Sequence, residues 1–387
     1  MAPRVAIVHD YLTQRGGAER VVLLLAEAFP GAPVHTSLYD PAGTFPEFGD
    51  VNVQPLPLNR LPFLRHHHRW ALPVLAPAFS AHRVEADVVL CSSSGWAHGV
   101  RATGHKVVYC YAPARWLYQT DRYLGRGADI SGRRHGAGTA ATEPLGDRLR
   151  GGLTTAGLRA LSPPLRRWDR RAAASADRYL TSSSTMAAAI TAAYGIEAEI
   201  LPPPPALTPG EPVSDPGGLA PGFFLCIARL LPYKNVDVVV DAMHRLPDRR
   251  LVVVGDGEIR GQLEAAAPPN VTFVGRVDDR RLRWLYANCR ALVAASYEDY
   301  GLTPLEAAAF ARPSAVLRAG GFLDTLVEGK TGVFFDHPDP DDVAAALSAI
   351  DAQEWDPSVL QNHAAGYSNA AFVDRIRQVV ADVASSP

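Results

Sequence analysis

Six short apolar runs, each followed by a helical or turn-rich segment, constrain the fold of this chain more than any other feature of its sequence. They are FFLCI at 223–227, LVVV at 251–254, VTFV at 271–274, ALVA at 291–294, SAVL at 314–317 and GVFF at 332–335. Such runs are typical of strands in a parallel sheet, because helices cover both faces of that sheet. The pattern predicts a doubly wound α/β domain in the second half of the chain.

The first half of the chain predicts another domain of the same class. RVAIVH at 4–9 predicts a buried strand, Gly16-Gly17 a turn, and residues 18–29 a helix with a broad apolar face. Further strands are predicted at 87–91, 106–111, 178–181 and 199–201. The two glycines let the backbone approach a ligand, and the helix start presents N–H groups that suit a phosphate. A plain tight turn explains the same glycines equally well.

Length and charge limit the class of protein. At 387 residues the chain exceeds one ordinary core, which predicts two domains. Residues 202–221, rich in proline and glycine, predict the linker between them. The formal net charge of −2 argues against a general nucleic-acid-binding protein.

Cysteine usage and hydropathy predict a cytoplasmic protein. Cys91, Cys110, Cys226 and Cys289 have no CxxC spacing, so we interpret them as reduced core residues and expect no metal site. The predicted strand at 4–9 leaves no room for a signal peptide, and no apolar run approaches the roughly 20 residues of a membrane span.

Two basic segments stand out against the small net charge. Residues 51–84 interleave arginines and histidines with apolar residues and contain no acidic residue, and residues 133–171 carry nine arginines. Both suit an anionic membrane surface. Five prolines between 55 and 77 argue against one continuous amphipathic helix, so peripheral membrane contact competes with a solvated, irregular surface. Residues 125–157 predict a long loop, which either closes over an acceptor or is a disordered insertion.

Residues with distinctive chemistry follow successive predicted strands of the second half. They are, in strand order, Arg229 and Lys234, Gly255 and Gly257, Gly275 and Arg276, Glu298, and Gly320 and Gly321. An open parallel sheet binds ligands at the carboxyl ends of its strands. Arg229 and Lys234 combine a planar fork with a point charge, which suits a diphosphate, although two solvated surface cations would have the same spacing.

Glu306 admits two interpretations. Thr303-x-x-Glu306, with Pro304 at the first helical position, matches a capping box. A carboxylate at a helix start beside a cleft can also accept two hydroxyls of a ribose. Glu298 precedes the Gly301 turn and has no capping role of that kind.

In combination these motifs resemble the family-4 retaining glycosyltransferases. Glu298 and Glu306 of EDYGLTPLEA resemble the paired glutamates of that family, and GGAE at 16–19, ARLLPYKN at 228–235 and GGFLDTLVEGKTGVFF at 320–335 resemble its other signatures. The resemblance covers most of the chain and implies the GT-B fold, with two Rossmann-like domains facing a cleft. The expected domains are 1–203 on the acceptor side and 222–366 on the nucleotide-sugar side, joined by the linker 204–221. A helix within 367–387 is expected to pack back on the first domain.

The resemblance implies transfer of a sugar from a nucleoside-diphosphate donor, without a metal or other cofactor. Arg229 and Lys234 are expected to stabilise the leaving diphosphate, Glu298 to face the donor sugar and Glu306 to hold the ribose hydroxyls. The other donor-binding residues implied by the family motifs are Gly16, Gly17, Arg276, Gly301, Leu302 and Thr303. The acceptor is expected to be a glycan, a lipid-linked precursor or a small molecule.

The chain departs from the family pattern at several positions. Tyr111 stands where similar enzymes often carry a histidine near the reacting sugar. His98 is a second candidate for that role, or an ordinary buried histidine, and Arg115 lies in the same acceptor-side segment. Ala228 and Ala311 stand where glycine is common, which should alter packing more than chemistry.

Three functions remain open. The EDYG and ARWLYQ segments are similar to those of bacterial mannosyltransferases of polysaccharide or lipid-linked precursors, which makes GDP-mannose the first donor hypothesis. The alternatives are a natural-product glycosyltransferase with another nucleotide sugar, and a nucleotide-sugar-binding subunit without activity, to which the missing histidine would be the clue. A dinucleotide dehydrogenase is disfavoured, because the glycines from Gly255 to Gly261 do not have the GxGxxG spacing.

Overall fold

The computed structural model describes residues 3–66, 72–118, 162–210 and 218–386. The predicted loop at 125–157 and much of the arginine-rich segment 133–171 therefore lie outside the described residues. So does part of the predicted linker.

The first half of the chain forms a seven-stranded parallel sheet of order β3-β2-β1-β5-β7-β8-β9, and β4 pairs with β6 beside it. The strands are β1 (Val5–His9), β2 (Val34–Thr36), β3 (Val53–Pro55), β4 (Arg83–Val84), β5 (Val88–Ser93), β6 (Arg101–Ala102), β7 (His105–Cys110), β8 (Arg178–Thr181) and β9 (Glu199–Ile200). The helices are α1 (Gly17–Ala28), α2 (Pro62–His66), α3 (Leu72–Ala81), α4 (Arg115–Tyr118), α5 (162–173) and α6 (Ser184–Tyr194).

The second half forms a six-stranded parallel sheet of order β12-β11-β10-β13-β14-β15. Its strands are β10 (Phe223–Ile227), β11 (Leu251–Val254), β12 (Val271–Gly275), β13 (Cys289–Ala294), β14 (Ser314–Leu317) and β15 (Gly332–Phe335). Its helices are α7 (Val236–Ala242), α8 (Arg260–Ala266), α9 (Asp279–Asn288), α10 (Leu302–Ala309), α11 (Phe322–Thr325), α12 (Pro340–Ala352) and α13 (Pro357–Ala365), and α14 (Asn369–Ala384) follows.

The predicted fold class is confirmed. Both sheets are parallel, and apolar clusters cover both faces of each sheet. This double burial explains why the strands are continuous apolar runs, since neither face has a solvated side that would select polar residues. All four cysteines are buried and unpaired, as predicted, and burial raises the pKa of the Cys91 thiol to about 12.

The C-terminal helix α14 packs against the first sheet and not against the second. Phe372, Ile376, Val379 and Val383 share one of its faces, are buried, and belong to the same apolar cluster as Val22 of α1. Each such side chain contributes about 1.5–3 kcal/mol when fully buried. The two halves of the chain are therefore tied together by a crossing helix as well as by the segment that precedes β10.

The basic segment 51–84 is divided among short elements in its described part. It contains β3, a 3-10 turn at Pro57–Arg60, the helices α2 and α3, and β4. Among the described residues of the chain, no helix combines the length and the apolar character needed to cross a membrane.

Candidate active site

The carboxyl ends of the two sheets face each other. Ser183 follows β8 of the first sheet, and its Oγ donates a hydrogen bond of 2.5 Å to the carbonyl oxygen of Asp299, which follows β13 of the second. Arg115, which follows β7, forms an ion pair with the Asp299 carboxylate. The cleft between the sheets is thus lined by the loops in which the predicted site residues lie.

Lys234 and Glu298 meet at this edge. The Nζ of Lys234 donates to Glu298 Oε1 at 2.5 Å, and the Oγ of Ser296 donates to the same oxygen at 2.6 Å. The Lys234 side chain is 12% exposed and that of Glu298 is 29% exposed, so the pair is half-buried yet open to the cleft. Sequence reasoning singled out Lys234 and Glu298 separately, and it missed Ser296 as the residue that orients the carboxylate.

Arg229 and Lys234 are brought together through Tyr233. An Nη of Arg229 donates to the Tyr233 hydroxyl at 2.9 Å, and Lys234 Nζ lies 5.1 Å from the centre of the Tyr233 ring. Among the described residues, no carboxylate pairs with Arg229, so its planar fork is open to an anion.

Two glycines hold the Glu298 loop in place. Gly301 has a φ of +80° and starts α10, and a Cβ there would lie 2.5 Å from the Phe322 ring. Gly320 has a φ of +62°, and a Cβ there would lie 2.3 Å from the Glu298 carbonyl oxygen. The Gly321 N–H donates to that same oxygen at 2.7 Å. The GG turn after β14 therefore supports the backbone that carries Glu298.

The capping-box interpretation of Glu306 is wrong. Because Gly301 adopts a left-handed conformation, α10 begins at Leu302, which makes Thr303 its second residue and Glu306 its fifth. The hydroxyl of Tyr286 instead donates to Glu306 Oε2 at 2.6 Å. Burial raises the pKa of the Glu306 carboxyl, although hydrogen bonds from Tyr286 and from the backbone N–H groups of Ala206 and Leu207 act to lower it.

This environment gives Glu306 a structural task whether or not it binds a ribose. Glu306 is 8% exposed, and its carboxylate holds the segment 206–207 that precedes β10. Arg20 of α1 reaches the same segment, since its Nη1 donates to the carbonyl oxygen of Ala206 at 3.3 Å. Three elements converge there: α1, α10 and the connection between the two sheets.

The Gly16-Gly17 turn lies at the carboxyl end of β1, where it was predicted, and Gly16 caps α1. Glu19, in the first turn of that helix, is 1% exposed, and its Oε2 lies 2.6 Å from the position of a Cβ on Gly16. Burial acts to raise the pKa of Glu19, but His9, a backbone hydrogen bond and Gln14 together hold this pKa below its ordinary value. A carboxylate thus already lies beside the helix start that was predicted to suit a phosphate.

Tyr111 and His98 have different surroundings. The Tyr111 hydroxyl lies 2.9 Å from Ser92 Oγ and donates to the carbonyl oxygen of Ala18 at 3.1 Å, beside the glycine turn, and burial raises the pKa of Tyr111. His98 is 2% exposed, with Nδ1 2.9 Å from Ser93 Oγ and Nε2 3.0 Å from Asp169. The buried ring of His98 therefore lies between Asp169 of α5 and Ser93 at the end of β5.

The remaining predicted residues lie at the same edge. Arg276 is exposed directly after β12, and Leu302 and Thr303 form the first turn of α10. Among the described residues there is no group of three histidine, cysteine, aspartate or glutamate side chains that could hold a metal ion.

The second half of the chain is similar to a known protein family. The family described as Glycosyl transferases group 1 matches residues 219–381. Glycogen synthase of Thermus thermophilus is 33% identical over 132 residues, which are 32% of this chain and 30% of that protein. A GDP-mannose-dependent alpha-(1-6)-phosphatidylinositol monomannoside mannosyltransferase of Mycolicibacterium smegmatis is 29% identical over 143 residues, 33% of this chain and 37% of that protein. The aligned stretches thus span about a third of these curated relatives.

The likeness in fold extends over the whole chain. Anabaena HepE, solved in complex with UDP-glucose, superposes with a TM-score of 0.61 at 18% identity and covers 99% of this chain and 100% of its own. The chain therefore has the GT-B fold, and its residues 219–381 are similar to the family described as Glycosyl transferases group 1.

Proposed function

We propose that this protein transfers a sugar from a nucleoside-diphosphate donor, held in the cleft between the two sheets, to an acceptor bound on the side of the first sheet. The observation that carries the proposal is the convergence of Lys234 Nζ and Ser296 Oγ on Glu298 Oε1 at the carboxyl edge of the second sheet, within the region similar to the group 1 family. Arg229, held beside Lys234 by Tyr233, adds a second cation.

The chemistry requires neutralisation of a leaving group. The bond between the sugar C1 and the phosphate oxygen breaks, the acceptor oxygen bonds to C1, and negative charge develops on the departing diphosphate. Cations fixed in advance at that position lower the barrier. An ammonium has three N–H donors, so Lys234 can keep its bond to Glu298 and still donate to a phosphate oxygen. Arg229 can bind a phosphate through two N–H groups at once.

We further propose retention of anomeric configuration, with the donor's own phosphate oxygen taking the acceptor proton and no metal taking part. Glu298 faces the donor sugar in this proposal, and Glu306 holds the ribose after its bonds to 206–207 rearrange. GDP-mannose remains the first donor to test, because the similar Mycolicibacterium enzyme is named for that donor. UDP-glucose is the second, because it is bound in the structure of similar fold.

Release of the nucleoside diphosphate from each nucleotide sugar of a panel tests the transferase activity. One variant tests the role assigned to Lys234. Lys234→Ala is expected to lower kcat by about 100- to 1,000-fold with a smaller change in KM, because its charge is needed most as the leaving group departs. Lys330→Ala, an exposed lysine of the same domain, is the matched control and should leave kcat unchanged.

Two outcomes would contradict the proposal. Tight binding of one nucleotide sugar without any transfer or hydrolysis, including in cell extract that supplies acceptors, would identify a binding subunit. An unchanged kcat in Lys234→Ala would remove Lys234 from the site, even if the protein proved to be a transferase.

A further inference from the structure

The described part of the basic segment exposes its apolar side chains in one short stretch. Phe63 is 57% exposed and Leu61 is 53% exposed, the two largest exposures among the large apolar residues of the described chain. Their neighbours Leu58 and Leu64 pack against the apolar cluster of the first sheet. The inner side of this stretch is therefore already occupied, and Leu61 and Phe63 lie on its outer side.

Two arginines flank these apolar side chains. Arg60 and Arg65 line a groove of about 400 Å³ together with Asn59 and the Pro55–Pro57 stretch. Neither arginine forms an ion pair with any carboxylate of the described residues, and residues 51–84 contain no acidic residue at all. Cations left without carboxylates beside exposed apolar side chains attract a partner that is anionic and apolar at once.

The position of this surface relates it to the cleft. The turn Pro57–Arg60 follows the carboxyl end of β3, which is the edge strand of the first sheet. Two strand spacings, about 10 Å, separate β3 from β1, whose carboxyl end leads to the Gly16-Gly17 turn. The groove is not lined by Arg229, Lys234 or Glu298, so it is separate from the proposed donor site.

We propose that Arg60, Leu61, Phe63 and Arg65 form a docking surface for a bilayer that contains anionic phospholipids. Leu61 and Phe63 enter the boundary between headgroups and acyl chains, and Arg60 and Arg65 bind lipid phosphates beside them. A soluble polyanion would leave the two most exposed apolar side chains in water, so the bilayer is the partner that satisfies both kinds of residue. The proposal does not depend on the transferase activity.

Co-sedimentation of the full chain with vesicles tests the docking surface. Wild-type protein is expected to bind phosphatidylcholine vesicles that contain phosphatidylglycerol, and to bind pure phosphatidylcholine vesicles at least about tenfold more weakly. The double variant Arg60→Gln/Arg65→Gln should weaken binding to the anionic vesicles by roughly ten- to thirtyfold. Leu61→Asp/Phe63→Asp should weaken it by at least about tenfold, because it removes the inserted apolar area.

Matched controls lie elsewhere on the surface. Val359→Asp changes an exposed apolar residue of α13, and Arg101→Gln/Arg280→Gln removes two exposed arginines that form no ion pair among the described residues. Both controls should bind like wild type. Thermal melts should show every variant folded, because the changed side chains are exposed or, at Arg65, half-buried.

Three results would overturn the proposal. The first is wild-type protein that stays in the supernatant with anionic vesicles. The second is the Leu61→Asp/Phe63→Asp variant binding as tightly as wild type. The third is a combined result: heparin, a soluble polyanion, removes wild-type protein from vesicles, and each double variant binds the vesicles as tightly as its control variant.

Discussion

Gly320 sets how closely the turn after β14 approaches Glu298. Its φ of +62° and the 2.3 Å from its Cβ position to the Glu298 carbonyl oxygen leave no room for a side chain. Gly320→Ala is expected to cost about 2–4 kcal/mol of unfolding free energy, from left-handed strain and overpacking together. Turnover should fall as well, because the backbone that carries Glu298 must move. Denaturant titration measures the unfolding free energy, and release of nucleoside diphosphate from the donor measures turnover.

Gly329 provides the control for that substitution. Its φ is +73°, but a Cβ there would have no atom within 4 Å. Gly329→Ala should therefore cost only the strain of about 1–2 kcal/mol and leave turnover unchanged. Equal effects of the two substitutions on turnover would show that contact with the Glu298 backbone is irrelevant.

At single residues, the sequence predicted which side chains lie at the carboxyl edge better than it predicted their contacts. Lys234 and Glu298 were placed at one edge because parallel strands end together, and they do meet. Glu306 was misassigned because the capping-box pattern takes no account of the left-handed Gly301, which shifts the helix start. Ala311, noted as a departure from glycine, adopts a φ of +57°, so this departure carries backbone strain, which the expectation of altered packing did not include.

At the scale of elements, buried strands were the most predictable part of the fold. The predicted runs at 223–227, 251–254, 314–317 and 332–335 coincide with β10, β11, β14 and β15, because burial on both faces removes polar residues from the whole strand. The contacts that place the elements were not predictable in this way. Ser183, Ser184, Asp299 and Asp324 are ordinary polar residues in sequence. The fold pairs Ser183 with Asp299 across 116 positions and Ser184 with Asp324 across 140 positions.

The docking of α14 gives a pH-dependent prediction. Burial acts to raise the pKa of Glu199 on β9, but hydrogen bonds from Arg178 and from Arg375 of α14 outweigh burial and lower this pKa. Since the folded pKa lies below the unfolded one, the stabilisation is present above the ordinary carboxyl pKa and is lost as pH falls through the folded pKa. Glu199→Gln should cost about 1 kcal/mol at pH 7, a modest value because the pair is partly exposed.

Thermal melts of wild type and Glu199→Gln measure this effect. They are recorded from about pH 3 to about pH 7, which spans the titration of a carboxyl group. The difference in Tm should shrink towards the acid end of the series. Glu27→Gln changes an exposed glutamate of α1 that forms no ion pair among the described residues, and it should match wild type throughout. A Glu199→Gln difference that is independent of pH would mean that packing, and not charge, holds α14.

At the scale of the whole molecule, the two sheets are joined by contacts of two kinds. Apolar packing fixes α14 on the first sheet, and hydrogen bonds connect the loops that face each other across the cleft. Separating the apolar contacts of α14 would cost a large free energy. Breaking a few hydrogen bonds costs little free energy. The cleft is therefore expected to open and close by rearrangement of the polar contacts while α14 keeps the halves together.

Asp324 makes two of these polar contacts across the cleft. One carboxylate oxygen of Asp324, on α11 of the second half, accepts hydrogen bonds of 2.9 Å from both the backbone N–H and the Oγ of Ser184, at the start of α6 in the first half. The negative charge also suits the positive end of α6. Asp324→Ala should shift the cleft towards an open arrangement, so the radius of gyration in small-angle scattering should rise above the wild-type value, which is about 21 Å for a compact chain of this length.

Asp248→Ala removes an exposed carboxylate of the second half that forms no ion pair among the described residues, and scattering from it should match that of wild type. In the proposed function the donor is held in the cleft between the two sheets. If the donor contacts both sides, a saturating donor should bring the Asp324→Ala radius back towards that of wild type. If Asp324→Ala scattered like wild type before donor was added, the contacts between Asp324 and Ser184 would not control closure.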